Sequence, residues 1–468
     1  MNILPNGGKG ERRKMSLNVL LVRWTHLAYK LLAIIVIVAL ALFLFRFMYT
    51  KKKMFKATPF LHYGSDAHGI IFGIKNKFKL YSPENEEGHV LVVGGSGLGK
   101  TSALLIPTLN SWHGTSFTID ISGDICKNVN MPNKLVFEPE CENTIPYDIF
   151  APIDEIDSPT GKNEALEELA ILLMPLAPKA DEVTRYYTLE GRKILTASLI
   201  AFYHKHMDFC DICKKIIENS YQNLFNAIDA TENQSAINFI NSFLGASSQN
   251  TAGAKQACDM AIKLFATNHN VYNSIRRPVA KENYFAPQKI EQHNVFVIIK
   301  DQKLELYEPL LRILTAQCLN CFSGRALEKH TPILFSLDEF SSLGGIDITT
   351  ALRKYRKRHI RVMVLTQSIA DIDLLYGKDQ RTAMIDNFKF IEILSARDPD
   401  TQDYFARMIG KKKVDHISTT RTRFDTSTTY SENLEYIIEP EKLANLGNEV
   451  ILIHPTGYEL MKKNFYFE

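Results

Sequence analysis

The sequence predicts an α/β fold: a mostly parallel sheet, an inserted all-α domain and an N-terminal transmembrane helix. Three observations predict it. Apolar runs of strand length recur along the chain and alternate with helical patterns, the signature of a parallel sheet covered on both faces. One such run, HVLVVGGSGLGKT at 89–101, enters a glycine-rich turn that ends on Lys-Thr. A third stretch, LLAIIVIVALALFLFRFMY at 31–49, has the composition of a bilayer span.

A chain of 468 residues is too long for one core. Domains hold roughly 100–200 residues, so two or three units are expected. The boundaries read from the pattern are an anchor at 1–56, a nucleotide-binding domain made of 57–161 and 286–468, and a helical insertion at 162–285. Net charge is +3, too near neutral to indicate a polyanion partner without a local basic patch. Seven cysteines, odd in number and sparsely spaced, argue against a disulfide framework and for a reducing compartment.

From the N-terminus, Leu31 to Phe45 is uninterrupted and apolar. With Lys30 and Arg46 snorkelling at its ends it reaches about the 20 residues a bilayer needs. A cleaved signal peptide would need a small-x-small site, and FRFMYTKKKM follows instead. A buried core helix would need surrounding elements that the N-terminus does not supply. Basic residues flank both ends, so charge alone does not orient the span. A nucleotide site requires the cytoplasm, which places the bulk of the chain there. The upstream run at 15–22 is too short to span alone.

Gly64, Gly69 and Gly73 then mark loops and a hairpin. Buried parallel strands are read at SFTID (116–120), KLVFEP (134–139), NVFVIIK (294–300), PILFSLDE (332–339), IRVMVLTQ (360–367), FKFIEIL (388–394) and EVILIHP (449–455). Between 162 and 285 the strand pattern stops and apolar residues recur at helical spacing. The Ser- and Thr-rich stretch 417–433 reads as an exposed hairpin or a loop.

Gly94, Gly95, Ser96, Gly97, Leu98, Gly99, Lys100 and Thr101 fit G-x-x-x-x-G-K-[ST]. Glycines let backbone N–H groups wrap phosphates, Lys100 neutralises the β- and γ-phosphates of ATP, and the Thr101 hydroxyl ligates Mg²⁺. The helix that starts there adds its positive end. Pro107 falls inside that helix and should bend or end it. An ordinary glycine turn is the plain alternative.

Asp338 and Glu339 end a buried strand. Asp338 is the candidate magnesium carboxylate and Glu339 the candidate base for an attacking water. An acidic helix cap is the competing reading. Gln367 ends the next strand, where ligands of open α/β sheets bind, so its amide can sense a γ-phosphate or simply cap a loop. LRKYRKRHIR (352–361) is a dense basic run. It reads equally as a solvated helix face, a contact with DNA phosphates, or the source of an arginine for a neighbouring nucleotide site. Cys210/Cys213 and Cys318/Cys321 are two C-x-x-C pairs on helical patterns, read as buried thiols with structural zinc as the alternative.

These motifs together resemble the type IV secretion coupling proteins, membrane-anchored ATPases of conjugation and effector export. The matching stretches include GGSGLGKTSALLIPTL (94–109), LDEFSSLGGI (337–346), LRKYRKRHIRVMVLTQSIADIDLLYG (352–377) and IIEPEKLANLGNEVILIHP (437–455). They run in the family's order through nearly the whole chain. The resemblance implies a RecA-like P-loop ATPase domain that assembles as a homo-hexamer beneath an inner-membrane stem, with an all-α domain at its cytoplasmic mouth. It implies ATP and Mg²⁺ as cofactors. The implied partners are secretion-channel components and either a relaxase–DNA complex or protein effectors. By position, Lys100 and Thr101 match the family's phosphate loop, and Asp338 and Glu339 its two carboxylates. Gln367 matches its sensor, and Arg356 its trans-acting arginine. The resemblance has departures. One span is legible where most relatives have two. Asp120-Ile-Ser-Gly123 stands where relatives often have Asp-Pro-Lys-Gly, and the chain carries no acidic tail. A nucleotide-regulated docking platform and a chromosome-segregation-type DNA translocase are the alternative functions.

Overall fold

The computed structural model describes residues 60–467 apart from 178, 330 and 422–425, together with Trp24, Leu32 and residues 34–41. It divides into two compact units, Met1–Pro59 and Phe60–Glu468. In the first, Leu32 and residues 34–41 are helical and their side chains are exposed. About half of the span read at 31–49 lies outside the described residues, and the run at 15–22 wholly so. No helix among the described residues is long and apolar enough to cross a membrane.

The second unit is built on a twisted sheet. β1 (His62–Gly64), β2 (Gly69–Lys75) and β3 (Phe78–Pro83) precede β4 (His89–Val93). β5 (Thr115–Asp120) and β6 (Lys134–Phe137) follow. After a helical block come β7 (Asn294–Ile298), β8 (Ile333–Leu337), β9 (Ile360–Thr366) and β10 (Phe388–Ile393). A separate hairpin of β11 (Lys411–Arg421) and β12 (Thr426–Tyr436) comes next, then β13 (Glu449–His454) and β14 (Gly457–Lys462). The sheet order is β1-β3-β2-β14-β13-β10-β4-β9-β8-β5-β7-β6.

From β10 to β6 every neighbour is parallel. From β10 out to β1 every neighbour is antiparallel. The reading of EVILIHP as one more parallel strand is therefore corrected: β13 runs antiparallel to β10. An apolar run reports burial on two faces and carries no direction. Beyond it, the tight connection through Pro455 and Thr456 sends β14 straight back along β13. The segment with Gly64, Gly69 and Gly73 contributes β1 to β3; β2 and β3 form the expected hairpin, and the three strands extend the sheet.

All residues of β4, β7, β8 and β9 are buried, as their unbroken apolar runs require. One face packs Leu104, Leu105, Ile106, Leu109 and Ile125 against Val90, Val92, Met363 and Leu365. The other packs the helices Leu304–Phe322, Ile348–Tyr355 and Pro399–Ile409, through Leu311, Leu352 and Phe405, against Phe117, Phe335 and Val364.

The helical block runs from Ala151–Asp154 to His269–Ser274, between β6 and β7. Most of its helices start on side-chain caps. Ser158, Asp181, Ser220, Asn233 and Ser247 each accept a backbone N–H three residues on. The two long helices, Glu182–Tyr203 and Ser248–Thr267, approach closely at Gly191, where a Cβ would lie 2.9 Å from the Ala254 carbonyl. The core of the block, with Leu195 and Phe265, is continuous with the core under the sheet. The polar stretch 417–433 is the hairpin alternative, with β11 and β12 paired from Lys411–Tyr436 to Arg421–Thr426.

Candidate functional site

The parallel strands end on one edge, and the chemistry collects there. The Gly94 N–H donates to the Thr366 carbonyl at 3.1 Å, which fixes the start of the loop after β4 against the end of β9. Gly97 and Gly99 hold φ of 73° and 97°. A side chain at Gly99 would be strained and would meet the Phe465 ring at 3.1 Å. The helix then opens in π register over Lys100–Leu105, with the Ile106 N–H bonded to the Thr101 carbonyl. The helix runs on through Pro107 and ends at Asn110, three residues later. Proline has no N–H to give the preceding turn, and the following helical segment, Ile106–Asn110, is short.

Lys100 is buried and its Nζ donates to the Gly94 carbonyl at 2.7 Å. Burial pushes the ammonium pKa down, while the carboxylates of Glu339, Asp338 and Asp371 push it back up. The Thr101 Oγ1 lies 3.5 Å from Asp338 Oδ2. Burial raises the Asp338 carboxyl to about 6, and the adjacent Lys100 opposes that rise. Glu339 sits at φ 46°, a left-handed conformation unusual for a residue with a side chain. Its N–H donates to Asp338 Oδ1 at 3.1 Å. Its Oε1 accepts from Gln367 Nε2 at 2.9 Å. Strain at such a carboxylate is tolerated only when the surroundings over-determine it, and functional sites are where it collects.

These groups surround a cleft of about 490 Å³ lined by the loop, Thr101, Ser102, Asp338 and Glu339. Ile106, Ile121, Ser122, Asp124, Asn128 and Tyr466 complete it. Of the residues singled out in the sequence, Gly95, Ser96, Gly97, Gly99, Lys100, Thr101, Asp338 and Glu339 line this cleft. Gln367 reaches it through Glu339. Gly94 supports the loop from beneath, where a Cβ would lie 2.9 Å from Leu394. Leu98 packs beside Gly95. Arg356 is not brought to this cleft within one chain. It precedes β9, at the opposite edge of the sheet, where its Nε lies 3.2 Å from Glu87 and its side chain is 71% exposed. It lines a separate cavity of about 560 Å³ with Arg353, His89 and Lys389.

The sequence reading missed Ser102, Ile106, Ile121, Ser122, Asp124, Asn128 and Tyr466. Asp120 was the available signal for the first turn among them. It is buried at the end of β5 and accepts from the Gly123 and Cys126 N–H groups, both at 2.8 Å. Those bonds hold the 121–124 turn at the cleft. Nothing in the spacing of the C-terminal stretch signalled Tyr466.

Thr101 and Asp338 offer two hard oxygen donors at adjacent positions, the donor type magnesium takes. The C-x-x-C pairs lie elsewhere. Cys210, Cys213 and Cys318 are buried, and burial pushes their thiols up. Among the described residues no group of three or more His, Cys, Asp or Glu side chains is placed to hold a metal ion.

Comparison with known proteins bears on the same residues. Among curated proteins the chain is similar to the probable conjugal transfer protein TraG of Sinorhizobium fredii, at 28% identity over 170 residues, 35% of this chain and 27% of that protein. It is similar to Protein VirD4 of Agrobacterium fabrum at 22% identity over 425 residues, 83% of this chain and 60% of that protein. The type IV secretion system-coupling protein VirD4 of Bartonella henselae is 20% identical over 372 residues, 74% of this chain and 57% of that protein. The matched stretches thus span at most about three-fifths of these relatives. Among solved structures, the bacterial conjugative coupling protein TrwBdeltaN70 superposes with a TM-score of 0.67 at 17% identity, covering 87% of this chain and 95% of that one. The plasmid coupling protein TrwB in complex with ADP and Mg²⁺ superposes at 0.66 and 16% identity, covering 88% and 96%. At these identities the likeness establishes the fold. The family model described as type IV secretory system conjugative DNA transfer matches residues 48–468. On that match, with the phosphate loop and both carboxylates inside it, the chain belongs to the type IV secretory system conjugative DNA transfer family.

Proposed function

We propose that this chain is a coupling ATPase: it binds ATP in the Lys100–Glu339 cleft and hydrolyses it to drive substrate into a type IV secretion channel. The convergence of Lys100, Thr101, Asp338, Glu339 and Gln367 on one sheet edge carries the reading. The loop N–H groups and the helix start at Lys100 present positive ends to the phosphates. Lys100 exchanges its bond to the Gly94 carbonyl for the β- and γ-oxygens, which offset the cost of burying its charge. Thr101 and Asp338 would hold Mg²⁺, which neutralises charge on the phosphate oxygens when bound.

Glu339 takes a proton from the attacking water as it adds to the γ-phosphorus and ADP departs. The Gln367 amide holds that carboxylate in place and registers whether a γ-phosphate lies beside it. Arg356 lies on the sheet edge opposite the cleft, so it serves the site of an adjacent copy rather than its own, in a ring of identical chains. The apolar segment at 31–49 tethers the ring to the inner membrane. Exposed Ile34 to Leu40 side chains support this, since an apolar helix face of that kind calls for lipid or a partner.

Steady-state hydrolysis by the full chain tests the proposal. Wild type hydrolyses ATP with Mg²⁺, and Lys100→Ala reduces turnover by about 100-fold or more, the scale of losing a transition-state charge contact. Equal turnover in the two would overturn it. Membership of a conjugative DNA transfer family favours a nucleoprotein cargo over effectors alone.

A further inference from the structure

The cleft is larger than a triphosphate needs, and its second wall is aromatic. Lys100, Asp338, Glu339 and Gln367 mark the phosphate end. Beyond Thr101 the wall is formed by Ser102, Ile106, Asn128 and Tyr466. The Tyr466 N–H donates to the Ser102 carbonyl at 3.0 Å, which fixes this residue over the first turn of the phosphate-loop helix. Its neighbours brace it. Phe465 packs on Gly99, Phe467 stacks on Phe465 with centroids 5.2 Å apart, and Phe467 meets the Tyr466 ring edge-on at the same distance. Tyr466 is 40% exposed and lines the cleft. An aromatic residue held by backbone and neighbours at the lining of a cavity of nucleotide size suits a flat heterocycle.

We propose that Tyr466 is the base-binding wall of the nucleotide cleft. The purine ring of the bound nucleotide lies against its face, opposite Ile106, while Asn128 and Asp124 offer polar groups near the ring edge. The proposal rests on the nucleotide reading above and adds to it the subsite that takes the base. It assigns a binding role to a residue outside every nucleotide motif in the sequence.

Calorimetric titration of the full chain with Mg²⁺-ATP and, separately, with Mg²⁺-tripolyphosphate tests it. Tyr466→Ala is expected to weaken ATP binding about tenfold, the scale of one base–aromatic stack, and to leave tripolyphosphate binding unchanged. Tyr466→Phe, which keeps the ring, should bind ATP like wild type. A thermal melt of each variant reports whether the tail still packs. Equal weakening of both ligands by Tyr466→Ala, or no weakening of ATP, would overturn the proposal and leave the phosphate site standing. A wild-type chain that bound neither ligand would overturn the nucleotide reading, and this proposal with it.

Discussion

Asp338 is the residue on which the electrostatics of the site turn. Its carboxyl is buried and raised to about 6, with Lys100 as the nearest opposing charge. Only the ionised form attracts Mg²⁺. Mg²⁺-dependent nucleotide affinity is therefore expected to fall as pH drops through about 6, as titrations at pH 5.5 and 7.5 would read. The linkage has the opposite sign for stability. The folded chain holds this proton more tightly than the unfolded one, so the stabilisation is full below the unfolded carboxyl range. It is lost as pH rises through about 6. Asp338→Asn, which removes the charge, should melt higher than wild type at pH 7.5, by about 1–3 kcal/mol of stability, while binding Mg²⁺-nucleotide more weakly. A variant less stable than wild type at that pH would contradict the account of a carboxylate held against its burial cost.

Among the elements, the phosphate-loop turn carries the most constraint. Gly99 combines a φ of 97° with the Phe465 ring at 3.1 Å from where a Cβ would stand. Gly99→Ala is expected to cost about 1–2 kcal/mol and to weaken ATP binding in titration, because the turn and the aromatic tail must both shift. This element was legible in the sequence, since glycines at fixed spacing before Lys-Thr announce a backbone geometry. Strands β4, β8 and β9 were legible for the same kind of reason: each is an apolar run buried on both faces. The direction of β13 was not, because hydrophobicity is blind to polarity of the chain. Nor was Tyr466, which reaches the cleft only because β14 returns beside β13 and β2, a pairing made across the whole length of the domain. Nor was the π-wound turn at Lys100–Leu105, which no residue pattern in the loop announces.

For the whole molecule, the two edges of the sheet divide the labour. Lys100, Asp338, Glu339 and Gln367 stand at one edge, and Arg356 with Arg353 at the other. A head-to-tail ring of copies brings such edges together at each interface. If Arg356 acts in trans, Arg356→Ala chains and Glu339→Gln chains are each inactive alone. Mixed, they regain ATPase activity, because some interfaces pair an intact cleft with an intact arginine. A mixture that stayed inactive would leave Arg356 without that role.

The central claim is that hydrolysis at this cleft, beyond nucleotide binding, powers transfer. Transfer frequency from donor cells carrying Glu339→Gln in place of wild type tests it most directly, with ATP binding by the purified variant measured alongside. The account predicts that the variant binds ATP and that transfer falls by about 100-fold or more, following the loss of the base. Wild-type transfer by a chain that binds ATP and cannot hydrolyse it would contradict the account and identify the protein as a nucleotide-set docking platform.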